Sequence, residues 1–150
     1  MITIFTPCYN RGQFLPQLYE SILVQKDTNF EWLIVDDGST DNTKAIVESF
    51  IAENKMPISY YYKTNGGKHT AINYGVQKAK GALFFIVDSD DFLSNDALQL
   101  INSGWQKIKG NPKVCGLIGL SEFTNGQLVG DAFLEDEWLL SFSDYYLKYH

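Results

Sequence analysis

Short runs of bulky, β-branched residues recur along the chain, and between them apolar residues fall at helical spacing. Ile2 to Thr6 is a β-rich run that breaks at Pro7. Phe14, Leu15, Leu18 and Ile22 then predict an amphipathic helix over residues 13–25. Glu31 to Asp36 reads as a buried strand; the helix after it is expected to be capped by Ser39 or Thr40 and to bury Val47, Phe50 and Ile51. Ile58 to Lys63 is a third strand. From Thr70 a helix carries Ile72, Gly75, Val76 and Ala79 on one face, with Gly81 at its C-terminal cap. Leu83 to Val87 has no polar alternation, which predicts a strand at the centre of the sheet, buried on both faces. Ser94 is expected to cap a fourth helix facing inward through Leu98, Ile101, Trp105 and Ile108, and Gly110-Asn111-Pro112 ends it.

This βαβαβαβα order predicts an α/β fold, with a mostly parallel sheet, right-handed crossovers and helices on both faces. After Pro112 the pattern changes. Val114–Phe123 and Gln127–Phe133 flank Thr124-Asn125-Gly126, which predicts an antiparallel hairpin at the sheet edge. Glu135 to His150, rich in acid and aromatics, reads as a short amphipathic helix. No repeat, low-complexity tract or linker interrupts the 150 residues, so one domain spanning residues 1–150 is expected.

Composition narrows the function classes more than the fold. The chain is 45% apolar and 20% charged, which is ordinary for a globular domain and argues against disorder. Twelve basic against 18 acidic residues give a net charge of −6, and the basic residues do not cluster, which argues against a nucleic-acid partner. No segment approaches the roughly 20 apolar residues of a transmembrane helix, and Met1 leads straight into a strand. A cytoplasmic location is the resulting expectation, compatible with peripheral membrane association. Cys8 and Cys115 are too few and too far apart for a disulfide framework or zinc site, so reduced thiols without a role are expected.

The chemistry lies where strands end in acid. Asp36-Asp37-Gly38-Ser39 follows the second strand and Asp88-Ser89-Asp90-Asp91 follows the fourth. Three carboxylates in four residues repel one another, and a fold that holds them together usually supplies a cation. An acidic turn leading into a helix is the plainer alternative for any single Asp-x-Asp; placement at a strand's carboxyl end favours the metal. In a parallel sheet the loops at residues 6–11, 36–43, 65–73 and 88–91 converge on one rim. Arg11 and Lys68 beside that acidic centre suit a phosphate ester held through Mg²⁺ or Mn²⁺. Asp37 can accept a hydrogen bond from a base or sugar, or serve its own turn. His69 can donate to a phosphate, although a loop histidine is the simpler reading, and Tyr9 can stack on a base.

Thr6-Pro7-Cys8-Tyr9-Asn10-Arg11, Val35-Asp36-Asp37-Gly38-Ser39-Thr40-Asp41, Asn65-Gly66-Gly67-Lys68-His69-Thr70-Ala71-Ile72-Asn73-Tyr74-Gly75 and Asp88-Ser89-Asp90-Asp91, in this order, resemble the family 2 glycosyltransferases of GT-A fold. The resemblance spans about residues 2–110. It implies a Rossmann-like GT-A domain that binds a nucleotide-diphosphate sugar, usually UDP-linked, together with Mn²⁺ or Mg²⁺. Matched residue by residue, it implies that Thr6, Pro7 and Tyr9 line the nucleotide pocket, with Arg11 and Ser89 among the nucleotide-binding residues. It also implies that Asp37 bonds the uracil, Lys68 lies near base or diphosphate, and Asp88 faces the ribose. Asp90 is the implied principal metal ligand, with Asp88 beside it and Asp91 able to replace or join it. An inverting transfer to a glycan, lipid-linked or other hydroxyl acceptor, as in polysaccharide biosynthesis, follows from the same resemblance.

Members of this family usually run well beyond this length and place the acceptor site and catalytic base after the hairpin region. The expectation is therefore a donor-binding domain that stops short of both. Asp136 is the remaining candidate base; its polar, unpatterned stretch reads more plainly as a solvated helix start. Two rivals stand beside this reading. A Mg²⁺-dependent phosphotransferase or phosphatase would use Asp88 as nucleophile and Asp90 as acid/base, but wants its motif on an early strand with a hydroxyl soon after, whereas Phe92 comes next here. A non-catalytic nucleotide-binding module is the other, supported by the missing base.

Overall fold

Strand β1 (Ile2–Cys8) is buried along its whole length and pairs in parallel with β2 (Phe30–Asp36) on one side and β4 (Leu83–Ile86) on the other. β3 (Ile58–Tyr62) joins the far side of β2, giving the order β3-β2-β1-β4. The computed structural model describes residues 1–129, which fall into two compact units divided after Lys109. In the first unit, α1 (Leu15–Leu23, after a 3-10 turn at Gly12–Phe14), α2 (Thr43–Glu53), α3 (Lys68–Lys78) and α4 (Ala97–Ile108) connect or follow the strands.

Pro7 does not end β1, and the ladder explains why. Ile2 donates its N–H to Asn29 and the Cys8 carbonyl accepts from Asp37, so the even-numbered residues of β1 bond toward β2. The Phe5 carbonyl accepts from Val87, so the odd-numbered ones face β4. Phe5 opposite Ile86 is the last pair of the β4 ladder, and Pro7's missing donor points beyond it.

Alternation along the strands separates two cores. On one face Ile4, Trp32 and Ile34 pack with Leu15, Leu18, Tyr19 and Ile22 of α1, Val47 and Phe50 of α2, and Leu98 of α4. Tyr19 stacks on Phe50 with ring centroids 4.1 Å apart. On the other face Phe5, Leu33 and Val35 meet Ala71 of α3, and Phe84 stacks on Phe5 at 4.8 Å. The α/β architecture with helices on both faces is thus present.

Several local expectations need correction. Among the described residues β4 is at the sheet edge, not its centre; Ile86 is 43% exposed, and β1 and β2 occupy the middle. An unbroken apolar run reports packing on both faces, which Phe84 and Phe85 do have, but is silent on strand neighbours. Ile51 and Val76 face outward. Asn42 precedes α2 where Ser39 or Thr40 was expected to cap, because those two residues are taken up by Asn10. α3 begins at Lys68 and closes at Ala79; Gly81 instead lets the chain pass β1, since a Cβ there would lie 2.4 Å from the Thr3 nitrogen. Asp96, not Ser94, precedes α4.

In the second unit Asn125-Gly126 does turn the chain, with Phe123 donating to the Gln127 carbonyl at 2.8 Å. Only the bridge Glu122–Leu128 pairs across it among the described residues, and residues 114–120 form no strand. The end of the expected second strand at Phe133, the tail helix and Asp136 lie outside the described residues. No helix among the described residues is long and apolar enough to cross a membrane.

Candidate functional site

Four parallel strands end on one side, so the loops after Cys8, Asp36, Tyr62 and Ile86 form a single rim. Side chains link them. Arg11 Nη1 donates to Asp90 Oδ2 at 2.7 Å, joining the first loop to the fourth. Lys68 Nζ donates to Asp88 Oδ2 at 2.7 Å, joining the third loop to the fourth. Asn10, in the left-handed region at φ 52°, accepts from the Thr40 amide at 2.8 Å and donates its own amide to Ser39 Oγ at 2.9 Å. Gly12 N–H adds a bond to Asp41 Oδ2.

The two acids after β2 face different partners. Asp36 accepts from the Ser39 amide at 2.7 Å and the Tyr60 hydroxyl at 2.6 Å, which ties β2 to β3. Burial and that carboxylate push the Tyr60 phenol well above its usual range. Asp37, 3% exposed, accepts from Lys63, from Gly67 at 2.7 Å, and from Gly66, whose N–H is shared between both carboxylate oxygens. Burial alone would raise the Asp37 carboxyl; the Lys63 ammonium and the glycine amides outweigh it and hold the group below its ordinary value. Each oxygen takes two donors, Oδ1 from Lys63 and Gly66 and Oδ2 from Gly66 and Gly67, so the roughly four lone-pair positions are all engaged, with the Gly66 amide shared between two of them.

The fourth loop is the electrostatically open part of the rim. Burial and the neighbouring charges of Asp88 and Asp90 raise the Asp91 carboxyl, with Lys68 offsetting only part. The side chains of Arg11, Lys68, Asp88 and Asp90 are 41–56% exposed. Ion pairs this exposed are worth about 0–1 kcal/mol, so all four groups can exchange partners for a ligand. Among the described residues no three His, Cys, Asp or Glu side chains are gathered as a metal centre. The donor set nevertheless fits a hard divalent ion: oxygen ligands only, on one turn, carrying more negative charge than Arg11 and Lys68 balance.

The rim brings together Tyr9, Arg11, Lys68, Asp88 and Asp90 of the expected site residues. Tyr9 is half exposed. Thr6 is fully buried and accepts from the Trp32 indole at 3.0 Å, Pro7 is buried beside it, and Ser89 is 5% exposed. Burial and the aspartates around it keep the Cys8 thiol protonated, consistent with a cysteine that has no reactive role. Lys63 was given no site role from sequence, and Asn10 and Asp41 stood in the quoted segments without one; the bonds of Asn10 to Ser39 and Thr40 and of Asp41 to Gly12 join loops that strand pairing brings together. A cleft of about 170 Å³, lined by Met1, Asp27, Ala82 and Asn102 among others, lies at the amino ends of the strands, away from this rim.

Comparison with known proteins bears on this arrangement. Residues 3–126 match glycosyl transferase family 2. Glycosyltransferase GlyG of Streptococcus pneumoniae serotype 4 is 36% identical over 101 residues, 67% of this chain and 34% of the relative. The crystal structure of S. aureus TarS 1-349 in complex with UDP-GlcNAc superposes with a TM-score of 0.64 at 30% identity, covering 71% of this chain and 31% of that one. The mannosyltransferase PcManGT from Pyrobaculum calidifontis, in complex with GDP-Man and Mn²⁺, shares the fold with a TM-score of 0.65 at 24% identity, covering 75% and 33%. The chain therefore spans about a third of the length of each of these relatives.

Proposed function

The chain belongs to glycosyl transferase family 2, and from that premise we propose that it forms the donor-binding part of an enzyme that moves a sugar from a nucleotide diphosphate, UDP first, to a hydroxyl acceptor. The observation that carries the reading is the meeting of Arg11, Lys68, Asp88 and Asp90 at the carboxyl ends of the parallel strands. A relative of this fold solved with UDP-GlcNAc supports a UDP-linked sugar.

Each group has a task it can perform from where it stands. Tyr9 offers an exposed ring for a base, and Asp37 can take a base N–H where the Gly66 amide, shared between its two oxygens, settles on one of them. Lys68 and Arg11, released from their carboxylates, neutralise the diphosphate, and Asp88, freed from Lys68, accepts from the ribose hydroxyls. Thr6, Pro7 and Ser89 shape the pocket floor from within the fold. Asp90, with Asp88 and Asp91 beside it, would hold Mn²⁺ or Mg²⁺. Bound there, the ion supplies charge stabilisation to the leaving diphosphate. The acceptor is a glycan, a lipid-linked sugar or another hydroxyl compound; its hydroxyl needs a base and in-line approach, which gives inversion. Asp136 is the candidate for that base.

Equilibrium binding of UDP-GlcNAc and GDP-mannose tests the reading. The UDP-sugar is expected to bind more tightly, and failure of both to bind would overturn it. Incubation with hydroxyl acceptors extends the test, because transfer that disappears in Asp136→Asn assigns the base.

A further inference from the structure

Lys63 follows β3 and has three acceptors around its ammonium: the Asp37 carboxylate, the Thr64 carbonyl at 2.6 Å and Thr70 Oγ1 at 2.8 Å. These use all of its donors. Thr70 passes its own hydroxyl proton to the Gly67 carbonyl at 2.9 Å, while Asp37 takes the amides of Gly66 and Gly67. The Gly66-Gly67 turn is therefore held at its amides by the acid and at its last carbonyl by the hydroxyl, with Lys63 bonded to both. Gly67 sits at φ 90°, and a Cβ on Gly38 would lie 2.7 Å from the Asn65 nitrogen, so the loops after β2 and β3 touch backbone to backbone. Lys68 is the next residue, and its ammonium meets Asp88 across the rim.

We infer that Lys63, acting with Asp37 and Thr70, is a positioning residue of the nucleotide site: it fixes the Gly66-Gly67 turn and through it the placement of Lys68. This rests on the reading of the rim as a nucleotide site. The chemistry asks for a lysine in particular. A Cβ on Gly66 would lie 3.2 Å from Nζ, so the ammonium is closely surrounded by the loop. A compact cation with three rotatable donors suits acceptors on three sides, whereas the planar fork of arginine does not.

Lys63→Met keeps length and removes the charge. In the folded variant UDP affinity is expected to fall about tenfold or more, and the Gly66 and Gly67 amide resonances to shift. Combined with Lys68→Ala, the losses should be less than additive, because Lys68 is already misplaced. Thr70→Val removes one contact and should move affinity and amide signals the same way by less; it carries the test if Lys63→Met does not fold. Unchanged UDP affinity, unshifted amides or fully additive losses would overturn the inference. Absence of UDP binding by the unsubstituted protein would instead overturn the reading of the rim, and the amide signals would still decide whether the turn is held by Lys63.

Discussion

Asp37 is committed to the fold before any ligand arrives, since it is ionised, 3% exposed and bonded to Lys63, Gly66 and Gly67. Its folded value lies below its ordinary 3.8, so the stability it contributes is fully present above that pH and is lost as pH falls through the lower folded value. Asp37→Asn should therefore lower stability at pH 7 by about 2 kcal/mol, the scale of a hydrogen bond to a charged group. The deficit relative to the unsubstituted protein should shrink progressively below pH 3.8. Urea unfolding at a series of pH values checks this, and a pH-independent deficit would contradict it. The sequence offered Asp37 both a turn role and a ligand role; the geometry shows the turn role, and a ligand would have to share the carboxylate with Gly66. Lys63 was illegible because its partner is 26 positions away and is set by the pairing of β2 with β3.

At the scale of elements, helical spacing located the four α-helices of the described residues but did not always find the buried stripe. On α3, Val76 was expected on the inward face with Gly75 and is 56% exposed, whereas Gly75 is buried there and cannot take a side chain: a Cβ would lie 2.2 Å from the Phe5 ring. Glycine at that position lets α3 approach β1, information that apolar periodicity does not contain. Gly75→Ala should destabilise by about 1–3 kcal/mol through overpacking, despite alanine's better helix propensity. Val76→Ala should change stability by less than about 0.5 kcal/mol, as an exposed substitution does. Denaturant titration of the pair separates them, and equal effects would show that the contact with Phe5 does not limit packing. The same limit of one-dimensional patterning explains β4, whose apolar residues are packed on both faces while its outer edge lacks a strand neighbour among the described residues.

At the scale of the molecule, strand–helix alternation made the parallel sheet legible, and the parallel sheet made the rim legible, since four strands pointing one way must gather their following loops. Of the expected hairpin the described residues hold one turn and one bridge, and the end of its second strand lies outside them. The central claim is that this rim binds a nucleotide diphosphate through Lys68 and, with a divalent ion, through Asp90. Calorimetric titration of UDP with Mn²⁺ and with EDTA, for the unsubstituted protein, Lys68→Ala and Asp90→Asn, tests it most directly, with circular dichroism as the control for folding. Binding should be stronger with Mn²⁺, Lys68→Ala should weaken it about tenfold in either condition, and Asp90→Asn should remove the Mn²⁺ increment. No binding of UDP, or equal affinity in all three proteins with and without the ion, would contradict the claim.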